Sequence, residues 1–176
     1  MLNNIILGNI FSFFATLCII ISVAKKTKTA FIGWQIGDDI FGCLTCLTLA
    51  SYSALTVCLV CFIRNLLAYK NKLNKLLTGI LFLANIIIGL YVNNLGVIGL
   101  LPIIAAASYT IFVYLAKTAQ QMRLALISNL ALWVVHCWYI KAYPSTLINL
   151  SICCWTIYQA TKRSKWLKAH LKTKTA

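Results

Sequence analysis

Apolar runs of about 17–21 residues recur along nearly the whole sequence, each closed by a short polar or basic break. A helix needs about that many residues to cross the hydrocarbon core of a bilayer, where backbone groups must be satisfied within the structure itself. Hydrophobic residues make up 61% of the 176-residue chain and charged residues 10%. A soluble core could not hide that much apolar surface, whereas lipid can solvate it. The spacing predicts an all-α polytopic membrane protein with seven spans, at about residues 5–24, 32–50, 53–68, 76–92, 96–116, 124–140 and 144–160. Only Ser51 and Tyr52 separate the second and third, so a tight hairpin is expected there. One helix over the same stretch would extend roughly 55 Å, far beyond a core of ~30 Å. The first run lacks a preceding basic segment and is followed by Lys25, Lys26 and Lys28, the pattern of an uncleaved span, not a secretory leader.

The net charge of +14 could suggest nucleic acid, but its placement argues against that partner. Lys25, Lys26 and Lys28 follow the first run, and Lys70, Lys72 and Lys75 follow the third. Lys117 and Arg123 precede the sixth, and Lys162, Arg163, Lys165, Lys168, Lys172 and Lys174 follow the seventh. The other side offers only Lys141. Basic loops stay in the cytoplasm, which places the N-terminus outside and the C-terminus inside. The tail over residues 162–174, with Trp166 and Leu167 interleaved, is expected to lie along anionic lipid.

Laid over the last three runs at an ungapped offset of 92, the first three pair Ala15, Ile19, Ala24, Lys25, Ala50, Ser53, Leu55, Cys61, Ala68 and Lys70 with identical residues. Basic loop, polar-interrupted middle run and basic exit recur in the same order. The expected organisation is a three-helix bundle over residues 1–70, a linker helix over 71–95, a second bundle over 96–161 and a basic tail over 162–176. Parallel repeats with a linker are a transporter plan.

Asp38 and Asp39 are the only acidic residues, and both fall within an apolar run. Intramembrane carboxylates mark sites or pairs. Asp38 and Arg64 lie at similar depth, so an ion pair is expected between them, with Asp38 or Asp39 as a proton or cation site; Arg64 could instead snorkel to headgroups. His136 is placed near the bilayer middle, with Asn129 two turns below; its imidazole could bind a solute or hold an interhelical hydrogen bond. Trp133 and Trp138 could wall a planar or sugar ligand, or sit in the packing and the interfacial belt.

Cys43-x-x-Cys46 and Cys58-x-x-Cys61 have zinc-like spacing, but within apolar runs Cys serves as a small packing residue, so neither a metal nor another cofactor is expected. Gly33, Gly37 and Gly42 fit close helix packing. The sequon at Asn149 lies within a span and is discounted. With no phosphate loop, triad or His-Glu-x-x-His motif, an enzyme is not expected.

Four segments carry a resemblance: Ile63-Arg64-Asn65, Leu101-Pro102-Ile103-Ile104, Met122-Arg123 and Trp133-Val134-Val135-His136-Cys137-Trp138. Together they resemble the YgjV family of bacterial inner-membrane proteins. That family is grouped with the MtN3-like proteins, which include SWEET sugar transporters, PQ-loop proteins and PnuC vitamin transporters. The resemblance implies two three-helix bundles joined by one helix. The sequence departs from the PQ-loop pattern in having no Pro-Gln dipeptide and no proline in its first run, with Pro102 alone in the corresponding region of the second half.

Two functions remain open. One is a transporter or facilitator of a small polar solute bound between the bundles near mid-membrane. The other is a non-transporting scaffold, assembly factor or regulator whose basic face engages partners or lipids. Self-association into a homo-oligomer is compatible with either. Reporter fusions after Lys75, Arg123 and the C-terminus are expected to report cytoplasm, and one at Asn93 the outside. An external C-terminus together with an external N-terminus overturns the seven-span reading.

Overall fold

A computed structural model describes residues 2–174, with side-chain surroundings through residue 158. The tail side chains at 162–174, expected on anionic lipid, lie outside those described. Seven helices follow in order: α1 (Leu2–Ala24), α2 (Lys28–Thr48), α3 (Tyr52–Tyr69), α4 (Lys75–Tyr91), α5 (Val97–Leu115), α6 (Ala119–Tyr139) and α7 (Tyr143–Lys174). No strand occurs among the described residues. By length and apolarity α1, α3 and α5 could each cross a membrane, and α4 is an apolar helix of 17 residues. Polar residues in α2 and α6, Asp38, Asp39 and Asn129 among them, dilute the apolar content of those helices, and they face inward.

The molecule is inside-out relative to a soluble protein. Ser12, Thr16, Gln35, Arg64, Asn65, Asn85, Thr110 and His136 are buried, while Phe13, Leu17, Leu59, Ile63, Ile87, Ile104 and Phe112 are exposed. An apolar exterior of this extent is a lipid-facing surface. Exposed Tyr52, Tyr91, Trp138, Tyr139 and Tyr143 ring one end, and exposed Trp34, Tyr69 and Tyr114 ring the other. Tyr52 and Tyr69 begin and end α3, about 25 Å apart at helical rise, close to the thickness of the hydrocarbon core.

The helix ends reveal a repeat. Thr27 caps α2 by accepting from the Ala30 N–H, and Thr118 caps α6 by accepting from the Gln121 N–H. Both helices then end with a left-handed residue, Ala50 (φ 54°) and Lys141 (φ 64°). In each case the next N–H reaches back, Ser51 to the Cys46 carbonyl and Ala142 to the Cys137 carbonyl, both at 2.9 Å. This is the Schellman closure of a helix C-terminus. Caps, helix lengths and closures recur at a spacing of 91, which corrects the register of 92 drawn from identities alone.

Packing follows the same pattern. α1 packs on α2 and α2 on α3; α5 packs on α6 and α6 on α7. The two sets meet where α3 touches α5 and where α1 touches α7, closing a ring of six helices, while α4 packs on α3 and α5 from outside. At Gly37 a side-chain carbon would lie 3.0 Å from the Cys18 sulfur, so glycine there permits the close approach of α1 and α2.

Reciprocal clamps fasten both ends of the ring. At the lysine-bearing end, Lys28 of α2 donates to the Val113 and Ala116 carbonyls at the end of α5 (2.9 and 2.6 Å). Arg123 of α6 donates to the Val23 and Lys25 carbonyls at the end of α1 (2.8 and 2.6 Å). Each cation satisfies carbonyls left open by a helix C-terminus and meets the negative end of its dipole. At the opposite end, Asn94 donates to the Ala50 carbonyl (2.7 Å) and accepts from the Tyr52 N–H (3.1 Å). Asn9 treats the Lys141 carbonyl and Tyr143 N–H in the same way, at 3.0 Å each. Arg123→Gln is expected to lower stability by about 1.5–3 kcal/mol, the range for charge-assisted hydrogen bonds. Lys70→Gln, at an exposed position, should change it by less than about 0.5 kcal/mol. Thermal or denaturant melts in detergent would check both, and equal effects would contradict the clamp.

Candidate functional site

The ring encloses a cavity lined by all six of its helices and by no residue of α4. It offers about 90 Å³ to the centres of water-sized molecules, room on the order of six waters or a small solute. On α2 its wall is Thr45, which has no counterpart in the α6 wall, with Gln35, Asp38, Asp39, Gly42 and Cys46; on α6 it is Leu126, Asn129, Leu130, Trp133 and Cys137. Those five pairs all stand 91 apart. The spacing i, i+3, i+4, i+7, i+11 is one face of a helix, so equivalent faces of α2 and α6 form opposite walls. Cys58 of α3 and Asn149 of α7 add a sixth pair at that spacing.

Of the residues singled out in the sequence, Asp38, Asp39, Arg64, Asn129 and Trp133 meet in this lining. Asp39 accepts from the Asn65 amide at 2.7 Å. Arg64 donates from Nε to the side-chain amide oxygen of Asn65 at 3.2 Å and from Nη1 to the Thr110 hydroxyl at 3.4 Å. Its guanidinium also lies 5.0 Å from the Tyr109 ring centre, a cation–π geometry. Gln35 donates to the Tyr109 hydroxyl at 3.1 Å. Arg64 is therefore coupled to Asp39 through Asn65, and the expected direct pairing with Asp38 is not formed. Depth along a helix placed the two charges level, but rotation about the helix decides which carboxylate faces α3. Gln35, Asn65, Tyr109, Thr110 and Asn149 are the members that sequence reasoning passed over. Each is a polar residue inside an apolar run; Asn65 also stands in a segment that carries the family resemblance, and Asn149 in the sequon discounted above.

His136 and Trp138 do not line the cavity. Trp138 is 66% exposed and packs edge-on against Tyr143. His136 is fully buried, but in the last turn of α6, not at its middle. Because α6 starts at Ala119, five residues before the expected boundary, His136 stands roughly 25 Å along the helix. Both its ring nitrogens are engaged: Nδ1 donates to the Ile98 carbonyl (3.2 Å), which leaves Nε2 of the neutral ring to accept from the Ser51 hydroxyl (3.1 Å). That carbonyl needs a donor because Pro102, four residues on within α5, has no N–H to give it. Trp133 packs edge-on to the imidazole, centres 5.6 Å apart. Of the zinc-like cysteines, Cys46 and Cys58 pack with Ala54 in an apolar cluster and Cys61 packs with Val57 and Ile103.

Replacing His136 by Leu should cost about 1–3 kcal/mol by stranding the Ile98 carbonyl. Pro102→Ala in that background should recover part of the loss, since residue 102 then supplies the missing N–H. Strict additivity of the two substitutions in a double-mutant cycle would refute the coupling.

Comparison with curated proteins and with solved structures gave no match. The family model Imp-YgjV, described as a bacterial inner membrane protein, matches residues 6–165, most of the length of the ring and the whole of its cavity. The chain belongs to the Imp-YgjV family of bacterial inner membrane proteins.

Proposed function

We propose that the protein is a transporter or facilitator of a small polar solute, built from two three-helix bundles, α1–α3 and α5–α7, with α4 as the linker between them. The observation that carries this reading is the central cavity, whose walls on α2 and α6 are the same helical face at a spacing of 91 residues. A site on the axis relating two parallel repeats is reached from either side when one repeat rocks against the other. The clamps fit that motion. Lys28 and Arg123 each cross from one bundle to the other at the lysine-bearing end, and Asn9 and Asn94 hold the two turns at the opposite end. With both ends fastened the two bundles are held together around the cavity, and releasing one set would widen the way to it from that side. The likeness to SWEET and PnuC proteins drawn from the sequence points the same way. So does the gathering of the lysine-bearing loops at one end, which supports a cytoplasmic placement for that face and for the C-terminus.

Uptake by proteoliposomes across a panel of small metabolites tests the proposal. At least one solute should enter faster than into empty liposomes, and Gly42→Leu, which places a side chain in the cavity, should cut that flux at least tenfold while the melting temperature holds. Folded, correctly inserted protein that moves nothing on the panel would favour the scaffold reading, and flux indifferent to Gly42→Leu would contradict the cavity as the route.

A further inference from the structure

We infer that the cavity takes a small organic cation, an ammonium compound of a few heavy atoms held by Asp38. This rests on the transport reading above and gives that site its ligand class.

Three ionic side chains line the cavity: Asp38, Asp39 and Arg64. Two of them are tied together, since Asn65 donates to Asp39 and accepts from Arg64. Arg64 is engaged further by Thr110 and by the Tyr109 ring, and Asp39 balances its charge through Asn65, which leaves Asp38 as the ionic side chain without a partner of opposite charge. Asp38 has no hydrogen-bond partner among the described residues. Its related position on α6, Asn129, has none either, and Asn149, with 8% of its surface exposed, is a third lining residue without a partner.

Buried polar groups in native proteins are almost always paired, and in lipid the reason is stronger because water is scarce. One carboxyl group and two amides converging unpaired on the cavity leave a net acceptor site whose negative charge is stable only beside a cation. A neutral polar solute would leave that charge uncompensated, and an anion would meet it directly. An ammonium group supplies both the charge and N–H donors for the carboxylate and the amide oxygens. The indole of Trp133, opposite Gly42 on the lining, offers the aromatic wall that cations favour. A bare metal ion fits poorly, because among the described residues no three His, Cys, Asp or Glu side chains are grouped to hold one. With room on the order of six waters, the space matches methylammonium, ethanolamine or tetramethylammonium and excludes anything of disaccharide size.

The test is binding to the purified full-length protein in detergent, at constant ionic strength, by calorimetric titration and melting-temperature shift. The probes are methylammonium, ethanolamine and tetramethylammonium, with ethylene glycol, glycolate and sodium as counterparts. At least one ammonium probe should bind saturably while ethylene glycol, glycolate and sodium do not. Asp38→Asn should weaken that binding at least tenfold, as truncating a buried charge partner does. The swap Asp38→Asn with Asn129→Asp should restore it to within about threefold by moving the carboxylate to the related helix. Should Asp38→Asn fail to fold, Asn129→Asp alone carries the test through a gain of at least threefold in ammonium affinity. Binding of ethylene glycol, glycolate or sodium as strong as that of the ammonium probes overturns the inference. So does the absence of ammonium binding, or wild-type affinity in Asp38→Asn. Flux assays separate the two readings: ammonium binding without transport removes the carrier and leaves the cation site, whereas transport without cation preference does the reverse.

Discussion

Lipid offers no hydrogen bonds, and that constraint organises this structure from its helix ends to its cavity. Every open carbonyl or N–H has to find a partner within the ring, so the partners become the joints of the fold. The C-termini of α5 and α1 recruit Lys28 and Arg123; the turns after α2 and α6 recruit Asn94 and Asn9. The carbonyl stranded by Pro102 recruits His136, which in turn binds Ser51 and so ties α6 to the α2–α3 turn. Polar residues that would be liabilities in a lipid-facing helix thus do structural work between helices, and in the cavity Asp38, Asn129 and Asn149 keep polar groups with no hydrogen-bond partner among the described residues.

The repeat is close in its caps and helix lengths and unequal in its chemistry. Where α3 meets α5, Asp39, Asn65, Arg64, Thr110 and Tyr109 form a continuous polar network. The positions 91 residues away, at the α1–α7 seam and its flank on α6, hold Leu130, Thr156, Trp155, Ile19 and Cys18. Hydrogen bonds fix both seams: charged and amide groups link the first, whereas the second is tied nearer the Asn9 end, where the Ser12 and Ser145 hydroxyls lie 2.7 Å apart and the Ser145 N–H donates to the Ser12 hydroxyl at 3.1 Å. The same inequality leaves the cavity with one free carboxylate, because Asp38 faces Asn129, not a second acid.

Much of this could be read from the chain. Seven apolar runs gave seven helices, and depth plus residue type brought Asp38, Asp39, Arg64, Asn129 and Trp133 to one site. Rotation and register were harder. Identities scattered through a chain rich in Leu, Ile and Ala favoured an offset of 92, whereas the informative residues were two cap threonines, Thr27 and Thr118, whose role appears only once the helices start where they do. His136 was placed too deep because Ala119–Arg123, polar enough to read as loop, is the first turn of α6. Its partnership with Pro102 joins residues 34 positions apart through a missing hydrogen bond, and no local pattern encodes that.

The central claim is that two equivalent halves rock about the shared cavity. It is tested most directly by spin labels at Lys26 and Lys117, exposed positions 91 residues apart at the lysine-bearing end, with exposed Cys154 replaced. Pulsed dipolar spectroscopy in lipid should resolve two distances, and removing the clamps with Lys28→Gln and Arg123→Gln should shift population to the longer one. A single distance, unmoved by clamp removal in protein that remains folded, would contradict the account.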